Sequence, residues 1–145
     1  MSETRPFLIV ARSEPTDDDL IRAAEAEGCD VARLELFETR PGGQVDALAE
    51  RLKKVEPGTA VAWTSRRAAA VLARTALPSR RATLESVPLF AVGDESAAPF
   101  RAEGLAVSVP SSGIGAGHLA GHLIEHARAL GLKRVLFLHG DRALP

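Results

Sequence analysis

Short apolar runs alternate along the chain with segments whose apolar residues recur every three or four positions. Phe7 to Ala11 (FLIVA) is a continuous apolar run, the pattern of a parallel strand covered on both faces. Val31 to Phe37, Val61 to Trp63, Pro88 to Val92 (PLFAV) and Val135 to Leu138 read as further strands, and Val107-Ser108-Val109 as a brief one. Between them Leu20, Ile21, Ala24 and Ala26 form the apolar side of one helix, and Leu48, Leu52 and Val55 that of a second beginning near Val45. Arg66 to Thr75 is an alanine-rich helix, a short helix follows Gly93-Asp94-Glu95-Ser96, and Leu119, Leu123, Ala127 and Leu130 line a last one. Strands and helices in alternation predict the α/β class, with a doubly wound parallel sheet.

The breaks are placed by turn chemistry. Thr16 is an N-cap ahead of Asp17-Asp18-Asp19, three carboxylates at the positive end of a helix dipole. An acidic helix start accounts for the triplet better than a metal site, because no further ligand lies at a spacing that completes octahedral coordination. Gly28, Gly104 and Gly131 close helices, and Pro57-Gly58 ends the one from Val45. Thr39-Arg40-Pro41-Gly42-Gly43 is the best linker, and Leu77-Pro78-Ser79-Arg80-Arg81 reads as turn-rich.

The most informative stretch is Val61 to Arg67 (VAWTSRR). Its strand ends in Thr64-Ser65 and a helix begins at once, so Ser65 is the expected N-cap and the remaining first-turn amides face outward. Arg66 and Arg67 then sit where a cation costs about 0.3–1 kcal/mol. Either they converge with the Ser65 hydroxyl and the free amides on an acidic ligand, or they are solvated arginines that tolerate the penalty.

Gly113-Ile114-Gly115-Ala116-Gly117 invites a dinucleotide reading that fails in detail. The run is GxGxG, and His118 stands where the third glycine of GxGxxG belongs. Exposed amides at a helix start are the more modest inference. His118, His122 and His126 fall at i, i+4 and i+8, so an adjacent pair could chelate a metal. Without the acidic base of an HExxH motif they read as a polar helix face, and no metal or other cofactor is expected.

Bulk composition narrows the class. The 145 residues are 46% hydrophobic and 26% charged with a net charge of −1, the profile of a globular domain without a nucleic-acid or polybasic membrane footprint. Cys29 is the single cysteine, which excludes an intrachain disulfide and fits a reducing cytoplasm. No signal-like or membrane-spanning run occurs, so neither secretion nor membrane insertion is expected.

The order of these turns resembles the uroporphyrinogen-III synthase family. The likeness is carried by Ala11-Arg12 before an acidic helix, Arg40-Pro41 after the second strand, Trp63-Thr64-Ser65 before a helix, Ala91-Val92-Gly93 before a helix containing Ser96, and Gly115 to Leu119 ahead of Val135 to Arg142 with its Gly-Asp-Arg. Ser13 and Arg66 stand where the family commonly has proline, and Ser96 where threonine is usual.

The resemblance implies a two-domain fold with one domain incomplete: an opening βαβ over residues 1–39, a linker over 40–44, and a second domain over 45–145 lacking its last helix and strand. On that basis the chain alone is expected to be inactive. It also implies cyclisation of hydroxymethylbilane, with inversion of ring D through a proposed spiro intermediate and loss of the terminal hydroxyl as water. This is a lyase reaction on the route to haem, sirohaem and cobalamin. It needs no cofactor, and the implied full-length form is a cytoplasmic monomer. The implied substrate-binding residues are Thr64, Ser65, Arg67, Gly93, Ser96 and Gly117, with Arg12 and Arg142, gathered to hold carboxylates on every pyrrole ring. No catalytic acid–base pair is assigned. The alternative is a small α/β module that binds an acidic metabolite without turning it over, or an inactive fragment.

Overall fold

The structure, a computed structural model, describes residues 5–11, 19–34 and 45–138. Two compact units divide the chain, Met1–Arg40 and Pro41–Pro145.

In the first unit, β1 (Phe7–Ala11) pairs in parallel with β2 (Asp30–Leu34), in register from Phe7 opposite Asp30 to Ala11 opposite Leu34. The intervening α1 (Asp19–Ala26) buries Ile21, and Gly28 takes the left-handed conformation expected after a helix. Cover on both sheet faces, expected from the FLIVA run, is not found among the described residues. Phe7 and Ile9 point to the same face at period two and remain 65% and 61% exposed. One helix can cover only one face of a sheet. The Thr16 cap, Asp17, Asp18, residues 35–37 and the linker fall outside the described residues.

The second unit runs α2 (Val45–Lys53), β3 (Thr59–Trp63), α3 (Arg66–Thr75), α4 (Leu77–Ser86), β4 (Leu89–Ala91), α5 (Asp94–Arg101), α6 (Ala116–Leu130) and β5 (Arg134–Leu138). Its sheet is parallel with order β4-β3-β5, and Ser108 adds a bridge on the outer side of Phe90. Taken in chain order from β3, the strand positions therefore lie third-second-first-fourth. Direction of growth reverses between β3 and β5.

Alternation along the strands feeds two cores. Val61, Trp63, Leu89, Ala91 and Leu138 join Leu52, Leu72, Leu84 and Phe100 on one face, the layer built by α2 to α5. Ala60, Ala62, Phe90 and Val92 meet Leu119 of α6 on the other. Helices on both faces of a parallel sheet make this unit doubly wound.

Two local expectations change. Leu77 to Arg81, read as a turn, opens α4: Pro78 lies in its first turn, where the missing N–H costs nothing, and the punctuation survives as a kink at Arg80 (φ −130, ψ 17). Arg80 Nε donates to the Ala49 carbonyl of α2 at 3.1 Å, which holds the kink against its neighbour. Val107 to Val109, read as a strand, pairs only at Ser108. No helix among the described residues is long and apolar enough to cross a membrane.

Candidate functional site

Ligands of open α/β sheets bind beyond the carboxyl ends of the strands, where strand order reverses. Here that point lies between β3 and β5, and Thr64-Ser65-Arg66-Arg67 leaves β3 directly above it. The sequence places these residues at a strand end; the sheet order places them at the switch.

Ser65 is the N-cap of α3. It has extended backbone (φ −106, ψ 122), and its Oγ accepts from the Ala68 amide at 3.3 Å. The cap uses the acceptor side of the hydroxyl and leaves its proton available. Because a side-chain cap satisfies a single amide, the amides of Arg66 and Arg67 remain for solvent or a ligand.

The two arginines separate. Arg66 Nη1 reaches Glu95 Oε2 of α5 at 3.2 Å, an exposed ion pair that offsets part of the dipole penalty. Arg67 is exposed and has no hydrogen-bond or ion-pair partner among the described residues. Of the two, it is the guanidinium free to meet an anion.

Ser96 joins the neighbouring loop to this one. Its hydroxyl donates to the Thr64 carbonyl at 3.1 Å, and its own carbonyl accepts from Trp63 Nε1 at 2.7 Å. It is only 6% exposed, so its proton braces Thr64 and does not face outward. Trp63 is fully buried and stacks on Phe100 with centroids 4.7 Å apart, which fixes the end of β3 against α5. Nothing in the one-dimensional pattern announced this brace, because its partners are about a third of a hundred residues apart in sequence.

Gly93 caps α5 without a side chain, and its carbonyl accepts from Ser96 and Ala97 at 3.1 and 3.0 Å. Its φ of −179 is ordinary extended backbone, and a Cβ there would meet nothing within 4 Å. The space beside it is open. Two carboxylates share this helix start, however: Asp94 paired with Arg101 at 2.6 Å, and Glu95 paired with Arg66. They make it a poorer anion site than the start of α3.

Gly117 lies in the first turn of α6, after Gly115 (φ 128), a backbone conformation that favours glycine. Because α6 returns antiparallel to β5, its N-terminus is at the same carboxyl edge, but in the helical layer on the opposite face. A direct bond ties Ser96 to Thr64, the chain neighbour of Ser65; Gly117 joins them by topology alone. The ring of His118, in the same first turn, packs over Gly113. Arg12 and Arg142 lie outside the described residues.

The arrangement can bind and orient a polyanion: a guanidinium, a hydroxyl proton and first-turn amides, unpartnered among the described residues, lie at the switch point. A family model described as Uroporphyrinogen-III synthase HemD matches residues 18–145. No curated protein and no solved structure matches the chain.

Proposed function

The chain belongs to the uroporphyrinogen-III synthase family, and on that premise we propose that the carboxyl edge of the β4-β3-β5 sheet takes part in cyclising hydroxymethylbilane to uroporphyrinogen III. The observation that carries the reading is Arg67, a guanidinium without a partner among the described residues, beside the capped start of α3 at the strand-order reversal.

The chemistry asks little of acid–base groups. The terminal hydroxyl takes a proton from solvent and leaves as water under the push of its pyrrole. The resulting cation is attacked by the substituted carbon of ring D, the spiro intermediate reopens and recloses with that ring inverted, and a proton returns to solvent. The chain's part is to hold the ends of a flexible polycarboxylate together, so that an intramolecular encounter replaces a rare one. Arg67 and the amides of Arg66 and Arg67 bind side-chain carboxylates, the Ser65 hydroxyl donates to a carboxylate or ring substituent, and the Thr64 side chain lines the same edge. Ser96 and Trp63 act as positioning residues, holding the Thr64-Ser65 loop rigid so that its donors are preorganised. Gly93 and Gly117 let the substrate approach two further helix starts.

The test is cyclisation by the purified chain, with oxidised products resolved as type III and type I porphyrin. Type III above the spontaneous type I background supports the reading. Trp63, the single tryptophan, gives a second readout by quenching on titration with uroporphyrin III. Type I alone with saturable quenching supports a tetrapyrrole-binding edge without turnover by this chain, the outcome expected of the binding module or of an incomplete enzyme, and type I alone with no quenching refutes the binding site.

A further inference from the structure

Away from the switch point, α6 carries a second cluster that the tetrapyrrole reading does not use. His122, Glu125 and His126 each offer a ligand atom, and the three atoms lie within 4.8 Å of one another. The two imidazoles are 4.3 Å apart, and both meet Phe90 at steep ring angles, with centroids 5.7 and 6.2 Å away. Spacing explains the convergence. Positions i, i+3 and i+4 share one helix face, so His122, Glu125 and His126 bring two imidazoles and a carboxylate to the same side of α6.

One ring nitrogen of each histidine is already hydrogen-bonded, the arrangement that orients metal-bound histidines. His126 Nδ1 lies 2.8 Å from the His122 carbonyl, which can only accept, so the proton sits on Nδ1 and the Nε2 lone pair is left free. His122 Nε2 lies 2.7 Å from Ser108 Oγ; with Nε2–H donating to that oxygen, the Nδ1 lone pair is the one available to coordinate. Phe90 walls the inner side, and the exposed Glu125 can swing in to shorten its distance. Two imidazoles and one carboxylate form a three-ligand set suited to a borderline divalent ion with a water in the fourth position. A single protein oxygen is a poor set for calcium or magnesium.

We propose that His122, Glu125 and His126 bind a transition-metal ion of the zinc class on α6, with Ser108 and the His122 carbonyl orienting the rings. The site is independent of the tetrapyrrole reading and stands whether or not that reading does.

The experiment uses the full chain, free of any polyhistidine tag and stripped with chelator, titrated with Co2+ followed by its visible bands and with Zn2+ by calorimetry. One equivalent should bind with tetrahedral Co2+ absorption that Zn2+ displaces. H126Q and H122Q should each weaken binding about 100-fold, E125Q about tenfold, and S108A about tenfold through loss of its hydrogen bond to the ring. H118Q and C29S should leave the affinity unchanged. Glu125 is exposed, so E125Q retains the fold and tests the site even if a histidine variant does not. Absence of binding by the wild-type chain overturns the proposal, as does an affinity that E125Q leaves intact or that H118Q or C29S abolishes.

Discussion

Replacing Trp63 by phenylalanine tests the brace that positions the switch-point loop. The indole is fully buried, stacks on Phe100 and donates to the Ser96 carbonyl at 2.7 Å. Phenylalanine keeps most of the stacking surface but cannot donate. Ser96 lies in the first turn of α5, so its carbonyl also accepts within the helix and is not orphaned. The lost bond therefore costs its net value of about 1 kcal/mol, short of the larger penalty for an unsatisfied group. The smaller ring leaves a void worth about 1 kcal/mol more. The expected loss is about 2 kcal/mol, a sizeable share of the roughly 5–15 kcal/mol that stabilises a domain. Urea unfolding measures it as a shift in midpoint of about 1 M at an unchanged slope. Far-UV circular dichroism must report it, because the substitution removes the only tryptophan. A loss below about 0.5 kcal/mol would mean that the bond neither holds β3 against α5 nor preorganises the Thr64-Ser65 loop.

Arg67→Ala should weaken tetrapyrrole binding about tenfold, the effect of removing one charge-assisted hydrogen bond. Arg66→Ala, whose guanidinium is already engaged by Glu95, should change it about twofold; equal effects measured by equilibrium titration would contradict the division of roles. Ser65→Ala should cost about 1 kcal/mol of stability through loss of the cap. Ser65→Asp should keep that stability but repel the carboxylates, so its melting temperature should stay near wild type while binding falls. Gly58→Ala should lose at least about 2 kcal/mol in urea, because Gly58 has φ +82 and its new methyl would lie 2.7 Å from the Gly131 carbonyl oxygen. Gly131→Ala, with φ +61 and open space, should lose about 1 kcal/mol; similar losses at both positions would remove the steric part of the argument.

Much of this molecule is written in local pattern. Arg66–Thr75 is helical within the limits that its alanine content and Ser65 predict, because cap and propensity act within a single turn. The apolar runs at β1, β3, β4 and β5 specify strands because a segment without a polar side must be buried on both faces or left partly bare. Local chemistry misleads at Leu77 to Arg81, where proline in a first turn and proline in a loop look alike until the following residues are seen to pack on α2.

Long-range pairing decided the rest. Arg66 and Arg67 are indistinguishable as neighbours in sequence, and among the described residues only the approach of Glu95 on α5 engages one and not the other. Ser96 looks like an outward donor from its place after Gly93, yet packing turns its hydroxyl to Thr64. That residues leaving β3 stand at a strand-order reversal is a property of β4 and β5 lying on opposite sides of it, which no single segment encodes. Helix spacing alone puts His122, Glu125 and His126 on one face. Which nitrogen His122 can offer depends on Ser108, brought there by the sheet. Side-chain type and period are local and survive in the unfolded chain; partners and free valences exist only once distant segments have met.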